Sequence, residues 1–293
     1  MKKTFYPKEF IEKYKKLLGE EWDEFFKTIS KKEEKSIWIN NKKTDIEKIK
    51  QKMLEKNIVL KKYSFSEWAF GINYKKPGDL EEYKKGEISI QEKASMLPVI
   101  ILNVKKENIV LDACASPGMK TIQLSNIAKK VIALDVNTKR TKILLHNKNF
   151  FGLDNVFVKR MDVRNFKEKF DKILLDAPCS SEGLVRKKRD ALKGWTQEIV
   201  LKKSKIQKEL LLHCFDLLNK NGELVYSTCS FAPEENEEVI LYLLEKRKNA
   251  VIVPIKLEGI KIRKNLLCEN CIRLWPQDND TQQFFIAKIK KVN

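Results

Sequence analysis

The chain has 293 residues, 42% of them hydrophobic and 34% charged, enough for one large domain or for a domain with an appendage. No stretch approaches the roughly 18 uninterrupted apolar residues of a membrane span, and "MKKTFYPKEF" has no apolar core behind its lysines. Neither a membrane nor an export signal is expected, and the cytoplasm is the expected location. A formal net charge of +19 attracts polyanions, with nucleic acid first and acidic lipid second.

In chain order, residues 1 to about 30 carry apolar side chains at helical spacing, broken at Gly19. "SIWIN" predicts a short strand. Thr44 with Glu47 three residues on forms a capping-box pattern, and Ile46, Ile49, Met53 and Leu54 line one face of the helix that follows. "NIVLKKY" and "WAFGIN" read as strands. "KKPGDLEEYKKG" reads as a loop on the strength of its Pro-Gly. These elements make a small α+β domain over residues 1–86, with the boundary near Gly86.

From residue 87 to 293 strands and helices alternate. "NIVLDAC" is a strand and a helix starts at Met119. "VIALDV" is a strand and "TKRTKILLHNKNF" a helix, and "NVFVKRMD" and "KILLDAP" are strands. A helix spans about Thr196 to Leu218, then "GELVYSTC" is a strand. Pro233 opens another helix, with Glu234, Glu235, Glu237 and Glu238 suited to the positive end of its dipole. "FFIAKIK" is a last strand. The fold class is α/β, a doubly wound, Rossmann-like and mainly parallel sheet covered on both faces, with ligands expected at the carboxyl ends of its strands.

Several candidate site residues fall at those ends. The first strand runs into the small-residue turn Cys114, Ala115, Ser116, Pro117, Gly118 and Met119, where a nucleotide-type cofactor approaches a backbone most closely. The turn lacks G-x-G-x-x-G, so a dinucleotide is not favoured. Asp135 ends the next strand, placed to accept hydrogen bonds from ribose hydroxyls. Asp162 ends the third, where an adenine amino group would be met. Lys120 and Arg140 sit on helices near the cofactor. Two further strands end in thiols: Cys179, three residues past Asp176, and Cys229. A thiolate is a strong nucleophile when its pKa is lowered.

The other cysteines, Cys114, Cys214, Cys268 and Cys271, are expected to be reduced. A lone C-x-x-C with only two histidines in the chain is weak for zinc, so Cys268 and Cys271 are expected as plain thiols and no metal is expected. His146 and His213 are assigned to packing or surface. Arg186, Lys187, Lys188 and Arg189 form a basic run after the first cysteine motif, suited to RNA phosphates.

"DACASPGMKT", "DAPCSS" and "YSTCSFAPEENEEVI" resemble the motifs of the NOP/SUN-type RNA (cytosine-5) methyltransferases, in particular archaeal-like tRNA methyltransferases. "SIWINNKKTDIEKIKQKMLEKNIVL", "ISIQEKASMLP" and the late "RLWP" and "FFIAKI" resemble that family's flanking pattern. The resemblance covers the chain from about Ser36. The family usually has a second Ala and a second Gly in the cofactor turn, where this chain has Ser116 and Met119. Trp38 stands where Arg is expected and Gln283 where Gly is favoured.

The resemblance implies S-adenosylmethionine as cofactor and structured RNA as substrate, with tRNA ahead of rRNA. It implies Cys229 as the nucleophile at C6 of cytosine, and Asp176 as the acid at N3, also bordering the methionine part of the cofactor. Cys179 is implied in release of the adduct. A DNA-type enzyme would instead use Cys179 as nucleophile, and a non-catalytic RNA-binding protein would use neither.

Overall fold

The computed structural model describes residues 5–188, 190–263 and 267–293. Four strands form a small antiparallel sheet: β1 (Lys35–Ile39), β2 (Leu60–Lys62), β3 (Ala69–Ile72) and β4 (Ile88–Ile90), in the order β2-β3-β1-β4. The fourth strand therefore comes from just beyond Gly86. Strand alternation gives the sheet two faces. Ile37, Ile39, Phe70, Ile72 and Ile88 cover Ile49 and Met53 of the helix Ile46–Glu55. Trp38 points the other way, is buried among residues of the larger domain, and donates from Nε1 to Asn126 Oδ1 at 2.9 Å. The aromatic ring at this position thus joins the two domains.

Eight strands form the larger, mixed sheet. They are β5 (Ile109–Asp112), β6 (Lys130–Asp135), β7 (Val156–Arg160), β8 (Phe170–Asp176), β9 (Leu218–Thr228), β10 (Ala250–Val253), β11 (Ile272–Leu274) and β12 (Phe284–Lys291). The order is β10-β12-β9-β8-β5-β6-β7, with β11 pairing β12. Strands β5 to β9 pair in parallel, while β12 runs antiparallel to β9, β10 and β11. Neighbouring residues go to opposite cores: Val110, Ala133, Leu174 and Val225 to one, Leu111, Leu134, Leu175 and Tyr226 to the other. Such double-sided burial is why the parallel strands read as continuous apolar runs. The chain leaves β5 in one direction for β6 and β7 and returns on its other side for β8 and β9. The β5/β8 border is thus a topological switch point, where ligands of such sheets bind.

Several local expectations change. The helix at 46–55 is capped by Asp45, whose carboxylate accepts from Lys48 N at 2.9 Å, one residue later than the Thr44 pattern implies. Leu54 is 76% exposed and so is not part of the buried face. The loop after Pro77 contains a short helix, Glu81–Lys84. Pro233 opens a single 3-10 turn, and the α-helix starts at Glu237. Glu235 and Glu237 are buried rather than displayed to the helix dipole, because each has a long-range partner: Glu237 pairs with Arg273, and Glu235 serves the site described below. Cys268 and Cys271 are disulfide-bonded, contrary to the expected free thiols. The turn closed by Cys271 N donating to Cys268 O brings the two residues together in the core. No helix among the described residues is long and apolar enough to cross a membrane.

The helices Lys8–Leu18 and Trp22–Ile29, separated by a 3-10 turn at Gly19, do not pack on the small sheet. Phe10, Tyr14, Trp22, Phe25 and Ile29 bury their faces against Val185, Leu192, Trp195, Phe231 and Trp275 of the larger domain.

Candidate active site

A cavity of about 360 Å³ opens beside the carboxyl ends of β5, β6 and β7. Val136, Met161, Val163, Pro178, Ile206 and Leu210 give it apolar walls, and Asp135 and Asp162 give it two carboxylates. Apolar walls with a few oriented acceptors suit a nucleoside: a flat base between the walls and hydroxyl donors against the acids. Asp135 is 5% exposed, accepts from Asn137 N at 2.9 Å and lies 3.1 Å from Arg140 Nε. Asp162 is hydrogen-bonded by the Arg164 side chain, which holds its carboxyl below the usual range. Cys114 lines the same cavity, and burial pushes its thiol well above the ordinary value, so it is an inert wall.

The turn at residues 115–119 follows Cys114 and does not line the cavity. Ala115 N donates to Leu134 O, Ser116 Oγ donates to Arg140 O at 2.8 Å, and Arg140 Nη2 donates back to Ser116 O at 2.7 Å. Asn147 Nδ2 donates to Pro117 O. Gly118 has φ +107°, a conformation in which any side chain would be strained, and a Cβ there would also press on Leu144 Cδ1 at 2.9 Å. Met119 begins the helix and packs into the core, which is how a bulky side chain is accommodated in this turn. Asp112, behind the turn, accepts from Thr121 Oγ1 at 2.6 Å, and burial pushes its carboxyl up to about 7.

A second focus lies at the ends of β8 and β9. Asp176 accepts from Lys120 Nζ at 2.8 Å and from Ser227 Oγ at 2.7 Å. Lys120 also sits 5.2 Å above the Phe284 ring. This ammonium is committed to Asp176 and does not line the nucleoside-sized cavity. The sulfurs of Cys179 and Cys229, fifty residues apart in the chain, are 3.2 Å apart. The Cys229 thiol is pushed well above its ordinary value, first by its hydrogen bond with Cys179 and then by burial, with Lys120 opposing. Pro178 links the two foci, lining the cavity on one side and preceding Cys179 on the other.

The backbones carrying the thiols are locked together. Gly183 N donates to Cys229 O at 2.7 Å. A Cβ on Gly183 would lie 2.5 Å from that oxygen and 3.0 Å from Gln283 Cβ. Gln283 is fully buried, and its amide has no hydrogen-bond partner among the described residues.

Arg186 is a correction to the basic run. It is 5% exposed and donates to Thr281 O, Lys31 O and Asp280, because the aromatic packing of the N-terminal helices draws the segment at residues 31–32 over it. Lys187 and Lys188 are exposed, and Arg189 lies outside the described residues. His213 Nε2 bonds Phe166 O and His146 stacks on Phe150, both packing roles.

Residues 99–290 match the family described as 16S rRNA methyltransferase RsmB/F, and residues 6–93 match the N-terminal domain of 16S rRNA methyltransferase RsmF. The chain belongs to the RsmB/F family, the NOP/SUN-type RNA methyltransferases. Its activity is S-adenosylmethionine-dependent RNA (cytosine-5) methylation.

The chain is similar to a tRNA (cytosine(49)-C(5))-methyltransferase of Pyrococcus abyssi, 35% identical over 97% of this chain and 96% of that protein. It is 34% identical to ribosomal RNA small subunit methyltransferase F of Vibrio parahaemolyticus over 98% of this chain, and spans 64% of that protein's length. Among solved structures, a methyltransferase homologue protein from Pyrococcus horikoshii superposes with a TM-score of 0.85 at 30% identity, over 98% of this chain and 96% of that one. The cavity fits the family's cofactor: its apolar walls suit adenine and Asp135 suits ribose, and Asp176 lies beyond Pro178, toward the thiols.

Sequence reasoning missed Glu182, Glu235, Tyr14 and Trp195, all buried around the cysteine loops. Glu182 and Glu235 stand within a few residues of a cysteine, which was the available signal. Tyr14 and Trp195 carried none.

Proposed function

We propose that the protein methylates C5 of a cytidine in structured RNA, tRNA first, through a covalent bond between Cys229 and C6. The observation that carries this reading is the pair of thiols 3.2 Å apart beside Asp176, at the ends of adjacent parallel strands. C5 of cytosine is a weak nucleophile. Addition of the Cys229 sulfur to C6, with a proton or strong hydrogen bond supplied at N3, turns C5 into an enamine carbon. S-adenosylmethionine, when bound, supplies the electrophilic methyl.

Asp176, held by Lys120 and Ser227, would serve N3. After transfer the C5 proton leaves, the Cys229–C6 bond breaks, and Cys179 serves that release. In the free protein Cys229 is kept as a thiol by Cys179 and by burial. Its activation therefore belongs to the substrate complex, where an unstacked base separates the two sulfurs.

Asp135 would hold the ribose, Asp162 the adenine, and Cys114 to Met119 the backbone path along the cofactor, with Arg140 bracing the turn. Asp135→Ala is expected to weaken S-adenosylmethionine binding by about 1–3 kcal/mol, without change in RNA affinity, as calorimetry would read. Unchanged affinity would remove Asp135 from the site.

The small domain, residues 1–86, is proposed to dock RNA, with Lys187 and Lys188 meeting phosphates at the mouth of the site and the reaction running in the cytoplasm. The tRNA reading draws on the match to the Pyrococcus abyssi enzyme over nearly the full length of both chains. The rRNA alternative is supported by the match of residues 6–93 to the RsmF N-terminal domain.

Incubation with labelled S-adenosylmethionine and separate tRNA, rRNA and DNA pools decides between them. Labelling of tRNA is expected. Labelling of rRNA alone moves the substrate, and labelling of DNA alone overturns the reading. RNA affinity should fall linearly in log K against log salt, since a chain of net charge +19 displaces counterions from phosphates. A flat line would reduce the basic composition to solvation.

A further inference from the structure

The helix Lys8–Leu18 precedes the small sheet in the chain, yet its buried tyrosine reaches the loop that follows Cys179. Tyr14 OH is 2.8 Å from both oxygens of Glu182, three residues after Cys179. The same carboxylate accepts from Trp195 Nε1 at 2.5 Å, and from Ser230 Oγ and Phe231 N at 2.8 Å each. Ser230 and Phe231 directly follow Cys229. On the far side, Glu235 accepts from Ser180 N at 2.9 Å, Ser230 Oγ at 2.7 Å and Gln207 Nε2 at 2.8 Å. The hydroxyls of Ser180 and Ser230 are themselves 3.2 Å apart. The residue after each cysteine therefore touches its counterpart, Glu235 grips both, and Glu182 grips Ser230.

We propose that Glu182, completed by Tyr14 from the N-terminal helix, is a positioning residue that sets the separation of Cys179 and Cys229. This deepens the proposed reaction and rests on it for its catalytic consequence. A fully buried carboxylate is expensive unless its lone pairs are filled, and an apolar side chain of similar size would support a loop at less expense. Glu182 instead gathers four donors from three segments: residues 14, 195 and 230–231. Its value is directional, because hydrogen bonds fix distances that apolar contacts leave loose.

The network also holds a proton. Ser230 Oγ has one hydrogen and two carboxylate neighbours, and it also accepts from Ala232 N at 3.1 Å. Both carboxylate contacts are hydrogen bonds only if one acid is protonated. Burial, then the charge of Glu235, push the Glu182 carboxyl up. Tyr14 and Trp195 add donors that keep this arrangement closed to water.

The test uses the full chain with Tyr14→Phe, which deletes one hydroxyl, and Glu182→Gln, which swaps an acceptor for a donor facing donors. Two quantities are read. The first is single-turnover methyl transfer, with the KM for RNA and cofactor affinity. The second needs no catalysis: the rate at which diamide closes a Cys179–Cys229 disulfide, located by peptide mapping. Each thiol gives up one proton and one electron, and the diamide N=N bond is reduced to the hydrazine.

Tyr14→Phe is expected to lower the methyl-transfer rate about ten- to a hundredfold, with KM and cofactor affinity little changed, and to alter the disulfide-closure rate in parallel. Glu182→Gln should do more. If Glu182→Gln does not fold, Tyr14→Phe decides alone. A lowered Tm with both rates unchanged makes Tyr14 a structural residue and overturns the proposal. An altered closure rate in a protein that methylates no RNA upholds the positioning and sinks the proposed reaction instead.

Discussion

Cys229→Ser is expected to abolish both the protein–RNA adduct and methyl transfer, by about 10⁴-fold or more, while Cys179→Ser accumulates the adduct. A serine hydroxyl is far less ionised than a thiol near neutral pH, so the first bond to C6 does not form. Removal of Cys179 leaves that step intact and slows the later one. Protein and RNA then stay joined as a slow band on a denaturing gel. The 3.2 Å contact of the two sulfurs adds an expectation. Because Cys179 raises the Cys229 pKa, Cys179→Ser should also change how fast Cys229 of the free protein reacts with an alkylating agent, with Cys229→Ser as the blank. A trapped complex with Cys229→Ser and none with Cys179→Ser would exchange the two roles. Loss of activity with Cys179→Ser alone, and no adduct, would point to the DNA-type arrangement.

Gly183→Ala carries the second large effect. The new methyl group would sit 2.5 Å from Cys229 O and about 3 Å from Gln283, and the first of these is backbone bonded to Gly183 N itself. Neither neighbour can rotate away, so the loops must separate. Overpacking of this kind costs about 1–3 kcal/mol, read as a lower Tm. Displacement of the sulfurs by even part of an ångström should cost methyl transfer about a hundredfold. Cofactor affinity should hold, since Gly183 does not line the cavity. Wild-type turnover in Gly183→Ala would show that the loop spacing is not critical to the reaction.

The parallel strands, the acids at their ends and the two thiols were legible because each is written locally: apolar runs, Asp closing a strand, Cys closing the next. The cavity also gathers Cys114, Asp135, Arg140 and Asp162, all marked by position after a strand. What failed was the sorting of charge. Arg186 within a basic run is buried on Thr281, and Glu235 within an acidic helix start is buried on Ser180 and Gln207. No local pattern separates such residues from exposed neighbours of the same type, because their partners lie far along the chain. The docking of Tyr14 on Glu182, across 168 positions, is invisible for the same reason. Strands β10 and β11 were missed because each is short, and they form only by pairing with β12.

The insertion of β12 between β9 and β10 has a consequence for the order of events during synthesis. The strand carrying Ser227, next to the cysteine loops, is made long before its antiparallel neighbour. Until residues 284–291 leave the ribosome, one edge of β9 is bare and Phe284 is not yet beside Lys120. At that stage a growing chain displays an unpaired apolar edge of the kind that draws other strands.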